Sequence, residues 1–250
     1  MTNEKQLRAE WNNLAPAWIQ EMRSGRNPMR AGMLDRYMLE LCGDVRGLSV
    51  LDCGCGEGRF CRMLAERGAS KVLGLDTCEP MLVAARDIAC DREEYRVTDV
   101  EDLGCISDAS FDLAVSYLNH CDLVDFKANV REVFRVLRPG GKFVVCNLHP
   151  MRSAVGGWHR SPDGSKLHAI LDRYFNEGPR KWRMLNCDFT NFHRTLETYV
   201  NGFLQAGFVL ERFVEPTVTP EDLAAYPEID DEIRAPNFVI WLLRKPAEGV

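Results

Sequence analysis

A glycine-rich stretch that follows a short apolar run constrains the fold more than any other part of the chain. Residues 50–58 read Val-Leu-Asp-Cys-Gly-Cys-Gly-Glu-Gly, and the apolar run before the first glycine predicts a buried strand. Residues 59–67 then place apolar side chains at helical spacing. Glycine permits a positive φ and a close approach of a ligand to the main chain. A strand, a glycine turn and a helix in this order therefore predict a nucleotide-like ligand at the turn.

The spacing of the glycines limits which class of nucleotide the turn can be expected to bind. The dinucleotide fingerprint needs its third glycine one position later than this chain has it, at the start of the helix, where Arg59 stands. Three alternate glycines alone could also form a tight turn without a ligand. A second apolar run, residues 71–75, ends in Asp76. The distance in sequence between Asp76 and the glycine turn is typical of a carboxylate that binds ribose hydroxyls. This spacing favours a nucleoside site.

Two stretches resemble a known family. Asp52, two residues before the first glycine, completes the pattern Asp-x-Gly-x-Gly-x-Gly, which resembles the first motif of the class I S-adenosylmethionine-dependent methyltransferases. Residues 135–144, Arg-Val-Leu-Arg-Pro-Gly-Gly-Lys-Phe-Val, closely resemble the sequence that leads into the fifth strand of the same methyltransferases. The resemblance covers residues 47–148 and implies S-adenosyl-L-methionine as the cofactor.

The resemblance also implies where this cofactor binds. Open parallel sheets bind ligands at the carboxyl ends of their strands, so Asp76 would bind the ribose and Asp99, with the Val100 backbone, the adenine amino group. An exposed acidic loop is a competing interpretation of residues 99–102. The implied cofactor-binding residues are Asp52, Gly54, Cys55, Gly56, Gly58, Asp76, Thr77, Asp99, Val100, Tyr117 and Trp18.

The order of predicted elements indicates an α/β fold. A β-α repeat runs through five predicted strands, and two final strands, residues 208–214 and 238–243, should pair as an antiparallel edge hairpin. We expect a Rossmann-like, doubly wound, mostly parallel sheet of about seven strands, the last one antiparallel. Residues 1–250 should form one domain with N-terminal helices (1–46), a core (47–149 and 192–250) and an inserted cap (150–191).

Two amphipathic helices are predicted before the glycine turn. Residues 4–24 and 30–42 carry apolar side chains at three- and four-residue spacing, with an interruption expected at Pro16. In methyltransferases of this type such helices lie over the cofactor cleft, so the resemblance implies that Trp11 and Trp18 help to close it. The alternative is that both tryptophans belong to the core.

The candidates for acid–base chemistry are three histidines and a tyrosine. Methyl transfer from a sulfonium mainly needs proximity and alignment, and a base helps only with acceptors such as a phenol, a carboxylic acid or a protonated amine. His149 follows the fifth predicted strand, His120 follows the fourth, and His193 precedes the last long helix. Tyr174 lies in the predicted cap. Each histidine could instead have a purely structural role.

The predicted cap is rich in aromatic residues and glycines. A long connection of this kind in a compact domain usually forms a lid or a binding loop. We expect the aromatic residues to form apolar walls around a small methyl acceptor, although they could instead form the contact of a homodimer. These residues are Trp158, Tyr174, Phe175 and Trp182.

Composition excludes several partners. The net charge of −6 and the absence of a Lys/Arg-rich run disfavour a nucleic acid. No apolar run reaches the length of about 18 residues that spans a bilayer, and the first residues lack an apolar secretory segment, so a cytoplasmic location is expected. The ten cysteines form no Cys-x-x-Cys pairs, which favours core thiols over a metal site.

Three functions remain open. The first expectation is transfer of a methyl group from S-adenosyl-L-methionine to nitrogen or oxygen of a small molecule. The alternatives are methylation of a peptide or protein terminus, and a non-catalytic protein that only binds the cofactor. An NAD-dependent oxidoreductase would share the scaffold, but the chain lacks its glycine spacing and a Tyr-x-x-x-Lys pair.

Overall fold

The computed structural model describes residues 4–25, 27–154 and 157–247, so both ends of the predicted domain lie outside the described residues. Eleven strands occur in this part of the chain. In chain order they are β1 (Ser49–Cys53), β2 (Lys71–Asp76), β3 (Glu93–Val97), β4 (Phe111–Tyr117), β5 (Leu137–Leu148), β6 (Trp158–Arg160), β7 (Lys166–Ala169), β8 (Gly178–Met184), β9 (Cys187–His193), β10 (Val209–Val214) and β11 (Phe238–Arg244).

Seven of these strands form the central sheet, in the order β10-β11-β5-β4-β1-β2-β3. Strand β1 pairs in parallel with β2 and β4, and β2–β3 and β4–β5 are also parallel. The last strand, β11, is antiparallel to both β5 and β10. The predicted doubly wound, mostly parallel sheet is confirmed. The antiparallel strand lies between β5 and β10, however, so it is β10 that forms the edge of the sheet.

Helices cover both faces of the sheet. They are α1 (Glu4–Arg23), α2 (Asp35–Cys42), α3 (Arg59–Glu66), α4 (Glu79–Arg86), α5 (Phe126–Val136), α6 (Pro150–Ala154), α7 (Leu196–Gln205) and α8 (Pro220–Ala225), with a π-helical turn at Arg30–Leu34 and a 3₁₀ segment at Pro227–Ile233. Successive residues of a strand point to opposite faces, and accordingly Val50 belongs to one hydrophobic layer and Leu51 to the other. None of the described helices combines the length and the apolar content needed to cross a bilayer.

The N-terminal helices differ from the prediction in two ways. The interruption expected at Pro16 is wrong, because α1 runs through it without a break. Proline removes one backbone hydrogen bond from a helix, and here the neighbouring Leu14 and Ala15 are fully buried, which stabilises the helix against that loss. The second predicted helix begins as the π-helical turn and becomes α2 at Asp35. Such turns widen a helix locally and are frequent at functional sites.

Helix α1 packs through a small cluster that is separate from the two layers of the sheet. Its Ala15 contacts Cys78 and Met81 at the start of α4, with Trp11 and Trp18 beside them. Helix α1 also packs against β9, which pairs with β8 in a hairpin. A second hairpin, β6–β7, precedes it. The described residues of the predicted cap (150–191), which leave out 155–156, thus contain α6 and most of these two hairpins, and one of the hairpins touches α1.

Candidate active site

A cavity of about 510 Å³ opens at the carboxyl ends of β1, β2 and β4. Ligand sites commonly have volumes of about 300–1,000 Å³. Helix α1 covers the cavity with Trp11 and Trp18, and the loops that follow β3 and β4 form two of its walls. The cavity therefore lies where an open parallel sheet binds its ligands.

The glycine turn forms one wall of this cavity. Gly54 and Gly56 have φ values of 75° and 54°, and residues other than glycine rarely adopt such positive φ values. A Cβ on Gly54 would lie 2.3 Å from the Asn119 side chain, and a Cβ on Gly56 would point towards Met81 Sδ, at 3.5 Å, and Trp18 Nε1, at 3.9 Å. A side chain at either position would occupy the space beside the turn, so these glycines shape a cradle for a ligand.

Asp76, at the end of β2, supports the turn from the side. Its Oδ2 accepts a hydrogen bond of 2.9 Å from Gly56 N, and its Oδ1 accepts one of 2.8 Å from Cys78 N. Burial raises the pKa of Asp76, while these N–H donors lower it. A carboxylate offers about four lone-pair sites. Two of them remain for a ligand, which suits the two hydroxyls of a ribose.

Two buried polar atoms on the cavity wall have no hydrogen-bond partner in the described part of the chain. They are Asp52 Oδ1 and Asn119 Nδ2. The other Asp52 oxygen accepts a hydrogen bond of 3.2 Å from Cys61 Sγ. The pKa of Asp52 is raised to about 7, mainly by burial and also by Asp76, while the Cys61 hydrogen bond and Arg30 lower it. Unpaired buried groups cost free energy, so the wall fits a ligand with a cationic group and a hydrogen-bond acceptor. The amino-acid part of S-adenosyl-L-methionine has both.

Arg30 enters the cavity from the π-helical turn. Its guanidinium lies 4.6 Å from the ring centre of Tyr117 and 5.4 Å from that of Trp18. The Tyr117 hydroxyl donates a hydrogen bond of 3.0 Å to Asp35 Oδ1, and Asp35 also pairs with Arg59. Burial raises the pKa of Tyr117 well above its ordinary value, so this hydroxyl stays protonated. One end of the cavity thus combines aromatic rings with a guanidinium.

The loop that follows β3 forms the opposite end of the cavity. Asp99 Oδ1 accepts a hydrogen bond of 2.9 Å from Glu101 N, and Val100 is buried beside it. The Val100 carbonyl accepts a hydrogen bond of 2.8 Å from Asn129 Nδ2, which anchors this loop to α5. The loop is therefore a built part of the cavity wall and not a loose acidic surface.

All the predicted cofactor-binding residues except Gly58 line the cavity. They are Asp52, Gly54, Cys55, Gly56, Asp76, Thr77, Asp99, Val100, Tyr117 and Trp18. Gly58 instead begins α3 with a φ of 79°, and a Cβ there would lie 2.3 Å from Tyr95 Oη. Packing against Tyr95 explains this glycine.

The four predicted catalytic residues do not belong to the described cavity lining. His120 is fully buried between Phe126, Phe143 and Phe203, and its Nε2 lies 2.9 Å from Asn129 Oδ1. Burial lowers the pKa of His120 to about 3. This histidine is thus a neutral member of the hydrophobic layer on the α5 side.

His149 lies in a buried position after β5. Its Nδ1 accepts a hydrogen bond of 3.1 Å from Met151 N, and its Nε2 lies 3.2 Å from Glu215 Oε1. Burial lowers the pKa of His149, and Glu215 raises it. The bond to Nδ1 fixes the chain at the start of α6, whereas Nε2 faces Glu215 without a hydrogen bond.

His193 and Tyr174 contact each other away from the cavity. His193 Nδ1 lies 2.8 Å from Ser153 Oγ, and its Nε2 donates to the Tyr174 carbonyl at 2.7 Å. The Tyr174 hydroxyl accepts a hydrogen bond of 3.1 Å from Leu196 N at the start of α7. A catalytic role for these four residues stays a prediction that their placement does not support.

The placement of His120 gives a prediction about acid stability. The folded chain keeps His120 neutral down to a pH of about 3, whereas a histidine in the unfolded chain binds a proton below a pH of about 6.5. The unfolded state is therefore favoured as the pH falls from about 6.5, by about 1.4 kcal/mol per pH unit. Buried acids such as Asp52, whose pKa is raised to about 7, change the stability in the opposite direction over this range, so the contribution of His120 has to be measured as a difference between the wild type and a variant that lacks this histidine, by denaturant unfolding at several pH values.

A His120→Asn variant should be less stable at neutral pH, because it leaves a cavity, but should lose the contribution of His120 to this pH dependence. If the free energy of unfolding of the variant fell with pH as steeply as that of the wild type, His120 would not be a buried neutral side chain.

The aromatic residues of the predicted cap do not form the cavity walls, so this expectation is wrong. Trp158 Nε1 donates a hydrogen bond of 2.7 Å to Asp231 Oδ2, and Trp182 packs against Arg152 at 4.7 Å. Phe175 is 87% exposed. The hairpins turn these side chains towards the 3₁₀ segment, α6 and solvent. The apolar wall comes from α1, whose Trp11 contacts Phe189 of β9 at 6.1 Å between ring centres.

The residues of the cavity that sequence reasoning missed include Arg30, Asn119 and Asp122. His120 follows the fourth predicted strand, and this position at the end of a strand was the available signal for its neighbours Asn119 and Asp122. Arg30 had no such signal, because its place depends on how the π-helical turn packs against β4.

Comparisons with known proteins agree with this geometry. A model of the methyltransferase domain matches residues 51–145. An S-adenosylmethionine-dependent methyltransferase from Mesorhizobium loti has a similar structure, with a TM-score of 0.74 and 38% identity over 84% of this chain and 94% of that one. A protein from Listeria monocytogenes assigned to the same methyltransferases gives a TM-score of 0.77 and 34% identity over 86% of this chain and 97% of that one.

A curated relative shares a shorter region. The ubiquinone biosynthesis O-methyltransferase of Idiomarina loihiensis is 35% identical over 128 residues, which are 49% of this chain and 50% of the relative. The similarity to this relative therefore covers half of each protein.

Proposed function

The chain belongs to the class I S-adenosylmethionine-dependent methyltransferases, and from this we propose that it transfers a methyl group from S-adenosyl-L-methionine to an oxygen or nitrogen atom of a small molecule. The cofactor supplies an electrophilic methyl group on a positively charged sulfur. The protein is accordingly an enzyme, and its residues need to bind, align and shield the two reactants.

The covered cavity is the observation that supports a small molecule as the methyl acceptor. Glu10 of α1 pairs with Lys181 of β8 at 2.9 Å and accepts a hydrogen bond of 3.2 Å from Thr190 of β9. Trp11 adds its contact with Phe189. Helix α1 is thus fastened to the hairpin above the sheet, and about 510 Å³ is left beneath it. A space of this size supports an acceptor that can be enclosed, in preference to a folded protein or an RNA.

The proposed roles follow the contacts in the cavity. Asp76 binds the ribose hydroxyls, and Asp99 with Val100 binds the adenine. The unpartnered Asp52 Oδ1 accepts from the ammonium group of the cofactor. Trp11 and Trp18 exclude water from the reacting atoms, which strengthens the electrostatic interactions in the site.

Oxygen is the acceptor atom that we favour. The curated relative is named an O-methyltransferase, and the region that it shares with this chain supports the same class of acceptor. Because only half of that relative is shared, its own substrate is not carried over.

The proposal is tested by incubating the protein with a metabolite extract and S-adenosyl-L-methionine that carries a deuterated methyl group. Mass spectrometry should find the label in a small molecule, and the Gly56→Val variant should give none. Cofactor binding without any labelled product would instead make the protein a non-catalytic binder. Label found only in polypeptides would favour the methylation of a protein or peptide terminus.

A further inference from the structure

We propose that Asp122 accepts the proton that the methyl acceptor loses, and that the acceptor therefore presents a hydroxyl group to the loop between β4 and α5. This inference rests on the proposed function. It concerns a carboxylate on the cavity wall to which the family motifs give no role.

The loop holds Asp122 in place at the carboxyl end of β4. Its backbone N donates a hydrogen bond of 2.8 Å to the Asn119 carbonyl. Its Oδ1 accepts a hydrogen bond from Asn191 Nδ2 of β9, a buried residue. The side chain is thus fixed between the strand that carries Tyr117 and the hairpin that touches α1. A carboxylate has about four lone-pair sites, so these contacts leave room for a substrate proton.

Asp52, whose Oδ1 has no partner among the described residues, is assigned to the ammonium group of the cofactor, and four other acidic residues of the cavity are already engaged. Glu57 receives two hydrogen bonds of 2.8 Å from Arg62, and Glu101 accepts one of 3.0 Å from Asp125 N. Asp76 and Asp99 accept from backbone N–H groups and lie at the nucleoside end. Asp122 alone among these acids is held by the hairpin that covers the opening.

The charges around Asp122 suit a group that changes its protonation state. Burial raises its pKa to about 8, the Asn191 amide and the Cys121 thiol lower it, Asp76 raises it and Arg30 lowers it. At a pH of about 7 the empty site therefore holds mostly the protonated form. A positive charge brought into the cavity favours the ionised form, so arrival of a sulfonium prepares Asp122 to accept a proton.

The methyl transfer with Asp122 as the base balances in atoms and charge without any further reactant. Asp122 takes the hydroxyl proton as the acceptor oxygen forms its bond to the methyl carbon, the bond from that carbon to sulfur breaks, and its electron pair stays on sulfur. The positive charge on sulfur disappears in the same step. The carboxyl group is then neutral beside a neutral thioether.

The test counts protons and needs no acceptor. Titration calorimetry in two buffers of different ionisation enthalpy gives the number of protons released when a ligand binds. At a pH of about 7 the wild type should release more protons, up to about one per site, with S-adenosyl-L-methionine than with S-adenosyl-L-homocysteine. The two ligands differ only in the methyl group and its positive charge. Both carry the same ammonium group, so the protons that Asp52 releases in response to that group cancel in the difference between the two ligands.

Asp122→Asn should remove most of this difference while it keeps the affinity for S-adenosyl-L-homocysteine within about twofold, because asparagine can still accept from Asn191. Asp125→Asn is the matched control. Asp125 caps α5 outside the cavity lining, and asparagine caps a helix equally well, so the difference should persist there. A wild-type difference that survives in Asp122→Asn would overturn the proposal.

A second measurement uses the acceptor found with the metabolite extract. Asp122→Asn should lower kcat by about 10²- to 10⁴-fold, as the loss of a general base does, and should flatten the acidic limb of the kcat profile against pH. An unchanged kcat would also overturn the proposal. If the extract contains no acceptor, the proposed function fails, whereas the proton count still decides the role of Asp122.

Discussion

Replacing Gly56 by valine should abolish cofactor binding and leave the protein folded. Gly56 has a φ of 54°, and an L-residue in this region costs about 1–2 kcal/mol, with more for a β-branched side chain. The new methyl groups would also extend towards Met81 and Trp18, into the cavity itself. We expect the affinity for S-adenosyl-L-homocysteine to fall by at least about a hundredfold, since both effects act on the same turn. Titration calorimetry measures this directly.

The matched control for backbone strain is Gly140→Val. Gly140 has a φ of 78° and open space where a Cβ would be placed, and it lies in the turn that precedes the main part of β5. This variant should lose stability in thermal unfolding to a similar extent but should keep its affinity for the cofactor. If Gly56→Val bound the cofactor like the wild type, the glycine turn would be a purely structural feature.

Replacing Asp76 by alanine should weaken cofactor binding by a comparable factor, for a different reason. Hydrogen bonds to a charged group contribute about 1.5–3 kcal/mol each, so each lost bond to a ribose hydroxyl should reduce the affinity about tenfold to a hundredfold. The variant also leaves Gly56 N and Cys78 N without their acceptors. We therefore expect a larger loss than the ribose contacts alone would cause, measured by the same calorimetry.

A ligand without ribose hydroxyls separates the two roles of Asp76. The wild type should bind the dideoxy analogue of S-adenosyl-L-homocysteine much more weakly than the parent compound, and Asp76→Ala should bind the two almost equally. This comparison removes the effect of the variant on the turn, because that effect is common to both ligands. Equal discrimination in both proteins would place the ribose away from Asp76.

The sequence could indicate which residues line the part of the cavity where we propose that the cofactor binds, because the geometry of that part is local. A residue that follows a strand of a parallel sheet lies at the ligand-binding edge wherever the strand stands in the order. Asp52, Asp76 and Asp99 each follow or end such a strand, and all three line one cavity. The positive φ values of the glycine turn follow in the same way from the residue type.

The catalytic end could not be predicted in this way, because it depends on which face a side chain takes and on contacts between distant segments. His120 follows Asn119 directly, but Asn119 lines the cavity whereas His120 is buried among Phe126 and its neighbours. Asp122 is positioned by Asn191, which lies 69 residues further along the chain. Sequence periodicity carries no information about such a pairing.

The separate packing of α1 bears on how ligands enter and leave. Two continuous layers of side chains hold the sheet together, whereas α1 depends on a satellite cluster around Ala15 and on the Glu10 bonds to the hairpin. Detaching this helix would expose its own buried side chains, such as Leu14 and Ala15, but would leave both layers of the sheet in place, so we expect α1 to open locally before the sheet unfolds. If the cofactor binds as proposed, we expect it to exchange through such a partial opening while the sheet that positions Asp52 and Asp76 remains intact.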